Sequence, residues 1–225
     1  VESQISLLKR SLKTSKNDGL DSNEVLKKFP LLGVPITVKE LDSPIRDTPN
    51  SWGNKVIKEV GYKDNMTADT VNLIQNAGAV VVGKTNNPEF GIPIITYSQA
   101  HGVCLNPLDV TRNAGGSSGG AAACVASGMT RTSLGGDGGG SIRIPASNCG
   151  LWGFKPSKGK ISGGPIADKA WSGLATKGPI SLTFDDLIDT FNVLTMSTEN
   201  YRESAYLPLP KLKIGIRREG LGNVY

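Results

Sequence analysis

The sequence predicts an α/β fold, a sheet covered by helices, and three observations carry that prediction. Leu31–Val38 (LLGVPITV) and Ala79–Val82 are apolar, β-branched runs of strand length. Between them, Thr67–Ala77 (TADTVNLIQNA) has a capping threonine, an acidic first turn and helical apolar spacing, and Gly78 closes it. Strand, helix and strand joined by short connections is the pattern in which helices pack on a sheet. The third observation is density: ten of the 28 glycines fall within residues 113–142. Two turns there, Ala114–Gly120 and Gly135–Ser141, flank a small-residue run, Gly119–Ser127, that reads as a tightly packed helix. Glycine at that density fits backbone that must pass close to something, because glycine leaves no side chain in the way.

The remaining elements follow in chain order. Ile5, Leu7, Leu8 and Leu12 have helical spacing, Lys16–Gly19 is a turn, and a second helix spans Asn23–Lys28 before Pro30. Leu31–Val38 is a buried strand with Pro35 at an edge or start. Asp42–Gly61, rich in Pro and Gly, reads as an irregular surface segment, and Glu89–Ser98 as a loop with a short apolar run. His101-Gly102 opens another turn, and His101 reads as a hydrogen-bonded loop residue. Ile142–Pro145 and Asn148–Lys155 run through further turns. Lys177–Ile180 precedes a helix over Thr183–Thr195, with Asp185 and Asp186 in its first turn. Lys211–Ile216 (KLKIGI) alternates like a new strand.

Composition narrows the function. A chain of 225 residues with 38% hydrophobic and 20% charged residues is globular. Its net charge of +5 is dispersed, without the basic block that tracks nucleic acid. No apolar run is long enough to cross a bilayer. Lys211, Lys213, Arg217 and Arg218 form the densest basic cluster and read as a solvated face. Cys104, Cys124 and Cys149 lack metal-ligand spacing, which points to buried thiols in a reducing, cytoplasmic setting. With one histidine, neither a metal centre nor any other cofactor is expected. The opening without methionine and the late strand pattern suggest a fragment, or one half of a split protein.

Gly78–Thr85 (GAVVVGKT) matches the phosphate-loop pattern letter for letter but fails on context. Its intervening residues form a strand instead of an anion-cradling turn, and Asn86-Asn87-Pro88 stands where a helix should begin.

The serine turns carry the chemistry. A nucleophilic serine needs a base for its proton and donors for the oxyanion. Gly138-Gly139-Gly140 before Ser141 can present unobstructed N–H groups. With histidine scarce, the candidate base is a lysine held neutral by burial. Lys39 ends an apolar strand, where a lysine ordinarily snorkels to solvent but could instead be buried beside the serines. Ser117, on the first glycine turn, could bridge the two. The same turns would also suit a phosphate nest or a plain loop.

The stretch GGSSGGAAACVASGMTRTSLGGDGGGSIRIPASNCGLWGFKPSKGKIS resembles the signature region of the amidase signature family, and the resemblance extends to LLGVPITVKE, TADTVNLIQNAGAVVVGKTNNPEF and KGPISLTFDDL. It covers nearly all of residues 31–216. The resemblance implies a central mixed, twisted sheet with helices on both faces, and a Ser-Ser-Lys triad that hydrolyses amide bonds. It maps the nucleophile onto Ser141, the bridging serine, preceded by a cis peptide bond, onto Ser117, and the base onto Lys39. The oxyanion donors map onto the backbone of Gly138, Gly139, Gly140 and Ser141. Ser118 resembles the family's adjacent structural serine, and Asp137 and Arg143 the pair that fixes the loop, with an ordinary surface ion pair as the other reading.

Gly136 and Gly138 stand where relatives often carry Thr or Ser and a β-branched residue; at Gly136 a looser loop or a lost hydroxyl contact is expected. Lys39-Glu40 and Pro88–Phe90 resemble stand-alone amidases, including the fatty-acid amide hydrolase branch, more than the catalytic chain of glutamyl-tRNA amidotransferase. The implied domain is partial, spanning 1–225 with a signature core at 31–195, its C-terminal half missing or on another chain. The expected substrate is a small or linear amide. The catalytic chain of a glutamine-dependent amidotransferase and an inactive fragment acting as a structural partner stay open, as does a homodimer.

Overall fold

The computed structural model describes residues 1–162, 170–197 and 199–215. Two helices open the chain, α1 (Glu2–Asn17) and α2 (Ser22–Lys28). Asp21 caps α2 reciprocally with Glu24, each side chain accepting the other's backbone N–H at 2.8 Å. Strand β1 (Pro35–Lys39) leads to a short helix α3 (Lys55–Glu59), then α4 (Asp69–Asn76) and β2 (Val80–Thr85). Two small antiparallel pairs follow: β3 (Tyr97–Ser98) with β4 (Gly102–Val103), and β5 (Leu105–Asn106) with β6 (Asp109–Asn113). Next come α5 (Gly119–Ala126), β7 (Thr132–Asp137), α6 (Arg143–Asn148), β8 (Trp152–Gly153), β9 (Thr176–Ser181), α7 (Phe184–Thr195) and α8 (Tyr201–Ala205). No helix among the described residues is long and apolar enough to cross a membrane.

The main sheet is mixed, in the order β2-β1-β7-β9-β8. β1 runs parallel to both β2 and β7, whereas β9 is antiparallel to β7 and β8. Helices cover both faces, as the sequence predicts. Side chains alternate along β1. Ile36 and Val38 join Leu134 of β7, Val71 and Ile74 of α4, and Phe191 and Leu194 of α7 in one apolar cluster. Thr37 and Lys39 face the opposite side, where Ala121 and Ala122 of α5 pack with Ile142, Ala146 of α6 and Ile180 of β9. The small residues of α5 let it lie on the backbone: Gly120 N–H donates to Asn86 O at 3.1 Å, and a Cβ on Gly120 would overlap Asn86.

Several expectations change. β1 begins at Pro35, because Leu31–Gly33 form a turn whose N–H groups at Leu31 and Gly33 donate to Ala77 O and Gly78 O. Thr67 does not cap α4; Ala68 holds the cap position, and the Thr67 hydroxyl accepts the Arg46 N–H instead. Residues 143–148 form a helix, not turns. Pro145 is tolerated there because it lies in the first turn, where N–H groups have no intrahelical acceptor. Gly135, Gly136 and Asp137 belong to strand β7, so the second glycine turn starts at Gly138. The segment 42–61 is only partly a surface, since Ser43, Asn50 and Ser51 are buried. Lys211–Gly215 form no strand, and Ile216, Arg217 and Arg218 lie outside the described residues.

Candidate active site

β1 ends at the site. Lys39 is 2% exposed, and its Nζ donates to Ser117 Oγ at 2.8 Å. The expectation that a strand-end lysine reaches solvent is overturned here: the face of the sheet that Lys39 occupies is covered by α5 and the glycine turns. Ser117 is equally buried, and the Gly116–Ser117 peptide bond is cis. The Asp42 carboxylate lies 2.9 Å from the same lysine nitrogen, through Oδ2.

The second turn is tied to the first by backbone. Ser118 N–H donates to Ser141 O at 3.1 Å, and Ser118 Oγ donates to Gly136 O at 3.3 Å. Asp137 fixes the far side. Its carboxylate accepts the N–H groups of Gly140 (2.7 Å), Ile142 (3.1 Å) and Arg143 (3.4 Å), and it pairs bidentately with the Arg143 guanidinium at 3.0 and 2.9 Å. Burial pushes the Asp137 carboxyl up, but Arg143 and those backbone donors outweigh it and hold it below the ordinary carboxylate value.

Of the predicted oxyanion donors, the Gly140 N–H is therefore committed to Asp137, because the turn folds back over that carboxylate. Among the described residues, no partner takes the N–H of Gly138, Gly139 or Ser141. Lys39, Ser117, Gly138 and Ser141 line one cavity of about 290 Å³. Sequence reasoning misses Asp42, whose only signal in the chain is a carboxylate three residues after Lys39. It misses the cavity walls as well. Trp52, Phe90 and Trp171 line the cavity from backbone at φ near +50°, a region bulky residues seldom adopt.

Gly136 has a specific neighbour. A Cβ there would come within 2.6 Å of Asp42 Cγ, so the carboxylate occupies the space a side chain at 136 would need. At Gly138 a Cβ would meet the Trp171 ring at 3.1 Å. His101 stays in a loop, its Nε2 2.8 Å from Ser51 Oγ, and Ser51 in turn donates to Glu40. Residues 80–85 of the phosphate-loop pattern form β2, and Lys84 pairs with Asp64 at 2.5 Å.

The family model described as Amidase matches residues 7–219. The chain belongs to the amidase family. AmiB2 of Mycobacterium tuberculosis, a putative amidase by name, is 45% identical to it over 167 residues, covering 74% of this chain and 34% of that protein. The 6-aminohexanoate-cyclic-dimer hydrolase of Paenarthrobacter ureafaciens is 38% identical over 168 residues, covering 74% of this chain and 34% of the relative. A glutamyl-tRNA(Gln) amidotransferase chain of Deinococcus radiodurans is 38% identical over 206 residues, covering 86% of this chain and 42% of the relative. Among solved structures, a 6-aminohexanoate cyclic dimer hydrolase complexed with substrate superposes with a TM-score of 0.79 at 33% identity, covering 83% of this chain and 41% of that one. This amidase chain thus spans a third to a half of the length of the relatives it matches.

Proposed function

We propose that this chain carries the catalytic residues of an amide hydrolase acting on carbon–nitrogen bonds of small or linear, non-peptide amides. The observation that carries the reading is the buried 2.8 Å bond from Lys39 to Ser117, on the same cavity as Ser141. In this reading neutral Lys39 takes a proton from Ser117 as Ser117 takes one from Ser141. Ser141 Oγ then attacks the amide carbonyl, and the tetrahedral oxyanion is met by the N–H groups of Gly138, Gly139 and Ser141. Fixed donors of that kind stabilise developing charge without reorganising. The proton returns through Ser117 to the leaving amine, and water releases the acyl group from Ser141. Ser118 and the Asp137–Arg143 pair keep the two turns in register. These steps call on no metal or other cofactor.

The reading extends to the whole protein. The apolar surface offered by Ile92, Ile94, Ile95, Tyr97, Val103 and Leu105 is exposed, and it follows in the chain on Phe90 and Gly91 of the cavity lining. A further part of the same fold, in the same or a second chain, would cover it and complete the acyl pocket. The three unpaired cysteines support a reducing, cytoplasmic setting.

The test is labelling of the full-length protein with a serine-directed fluorophosphonate. Ser141 should be the modified residue, and Ser141→Ala should lose both labelling and amide turnover. A folded protein that neither labels nor turns over any amide would overturn the reading. The 38% identity to an amidotransferase chain favours a second reading, release of ammonia from glutamine for a partner enzyme. Co-purification with other chains and tRNA-dependent glutaminase activity would distinguish it.

A further inference from the structure

We propose that Asp42 is a positioning residue for the proton relay, a fixed carboxylate that charge-balances Lys39 as it accepts the proton from Ser117. The inference rests on the Ser141–Ser117–Lys39 reading and adds a fourth member to it.

Three observations meet at this carboxylate. Oδ2 lies 2.9 Å from Lys39 Nζ, while the same nitrogen donates to Ser117. Oδ2 is also buried, and apart from the Lys39 amine no donor reaches it among the described residues. A buried carboxylate oxygen with few donors is costly, and the group placed to offset that cost is the Lys39 amine, most strongly once it holds the proton from Ser117. Finally, the carboxylate fits only because residue 136 is glycine, since a Cβ there would overlap it. The absent side chain at 136 thus leaves the room that the carboxylate at 42 takes up.

The other ionic groups at the cavity are placed differently. Asp64 is paired with Lys84 and Asp137 with Arg143, while Glu40, next to Lys39 in the chain but outside the cavity lining, accepts from Ser51. Asp69 accepts from Ser162, and Lys177 is engaged within the fold. Among the described residues, Asp42 is the carboxylate at ion-pair distance from Lys39. When Ser117 hands its proton to Nζ, the amine becomes an ammonium facing an ionised carboxylate. Asp42 itself gains no proton. This is the role an acid plays behind the histidine of a serine triad, stabilising the cation formed at the base.

The experiment compares wild-type and Asp42→Asn full-length protein on a neutral amide and on the fluorophosphonate. Asparagine keeps the shape and removes the charge. The expected result is a fall of about 10- to 100-fold in kcat and in the Ser141 labelling rate, with KM within about two-fold. Asp42→Ala should lose activity likewise and recover part of it with added formate, which a purely structural role would not produce. Gly136→Ser, which pushes the carboxylate aside, should cost a similar amount, and the double variant should be no worse than either single. Unchanged rates in Asp42→Asn, faster rates, or a rise in KM alone would overturn the proposal. If Gly136→Ser fails to fold, Asp42→Asn and formate rescue still decide it. Failure of the underlying reading is separable, because labelling would then persist in Ser141→Ala or be absent from the wild type.

Discussion

Lys39 and Ser117 stand 78 residues apart in the chain and meet at 2.8 Å, Nζ donating to Oγ with both side chains buried. The contact joins the end of a central strand to the first glycine turn. It is the hinge of the proposed chemistry, and removing it is the first prediction.

Lys39→Met keeps the length of the side chain and deletes the amine. Turnover should fall by about 10²- to 10⁴-fold, the usual worth of a general base. Stability should fall by about 1–3 kcal/mol, because Ser117 loses its donor and Asp42 the amine beside it. Steady-state amide hydrolysis and urea denaturation of the same samples check both. A variant retaining near wild-type turnover would exclude Lys39 as the base.

Asp137 links stability to pH. Its carboxyl titrates below the ordinary 3.8 in the folded protein. A depressed carboxylate contributes stability that is complete above its unfolded value and is lost as pH falls through the folded one. Asp137→Asn should therefore cost about 1–3 kcal/mol at neutral pH, by leaving Arg143 and the backbone donors of the turn poorly matched. Its denaturation midpoint should also decline less than the wild type's as pH drops below about 4. Parallel pH curves for the two proteins would contradict the assignment.

Gly120 tests the packing of α5. Gly120→Ala places a methyl group into the Asn86 backbone and should destabilise by about 1–3 kcal/mol, the range for overpacking. Gly83→Ala, on the edge strand with open space around it, is the control and should stay within about 0.5 kcal/mol. Equal melting temperatures for the two variants would rule out the close approach.

The thiols should be sluggish. Burial pushes Cys104 up to about 11, with Cys149 and Cys124 adding to it, and burial also raises the other two. Since the thiolate is the nucleophile, iodoacetamide at pH 8 should modify native Cys104 about 100-fold more slowly than an ordinary thiol. Mass spectrometry over time, with and without urea, reads this directly, and rapid native alkylation of Cys104 would refute it.

Local pattern explains which elements are legible. α1, α2, α4, α5 and α7 carry their residue spacing within one segment, although only α2 and α7 of these are capped by a side chain, Thr183 accepting the Asp186 N–H in α7. β9 is not legible, because Gly178 and Pro179 both disfavour a strand interior. Its extended form comes from pairing with β7 and β8, and Phe154 N–H donates to Pro179 O at 3.1 Å. Residues 211–215 of KLKIGI differ the other way: the alternation suits a strand, but Leu212 and Ile214 are exposed and no strand among the described residues pairs with them.

The family resemblance, the α/β class and the candidate side chains Lys39, Ser117 and Ser141 can be read along the chain, because they lie in contiguous signatures that a linear reading can match. Tertiary structure decided what surrounds them. It buried Lys39, brought Asp42 against it through the space left at Gly136, committed the Gly140 N–H to Asp137 and built the aromatic walls. Those outcomes depend on strand order and register, which bring distant residues within a few ångströms. Residue spacing along the chain carries no record of that.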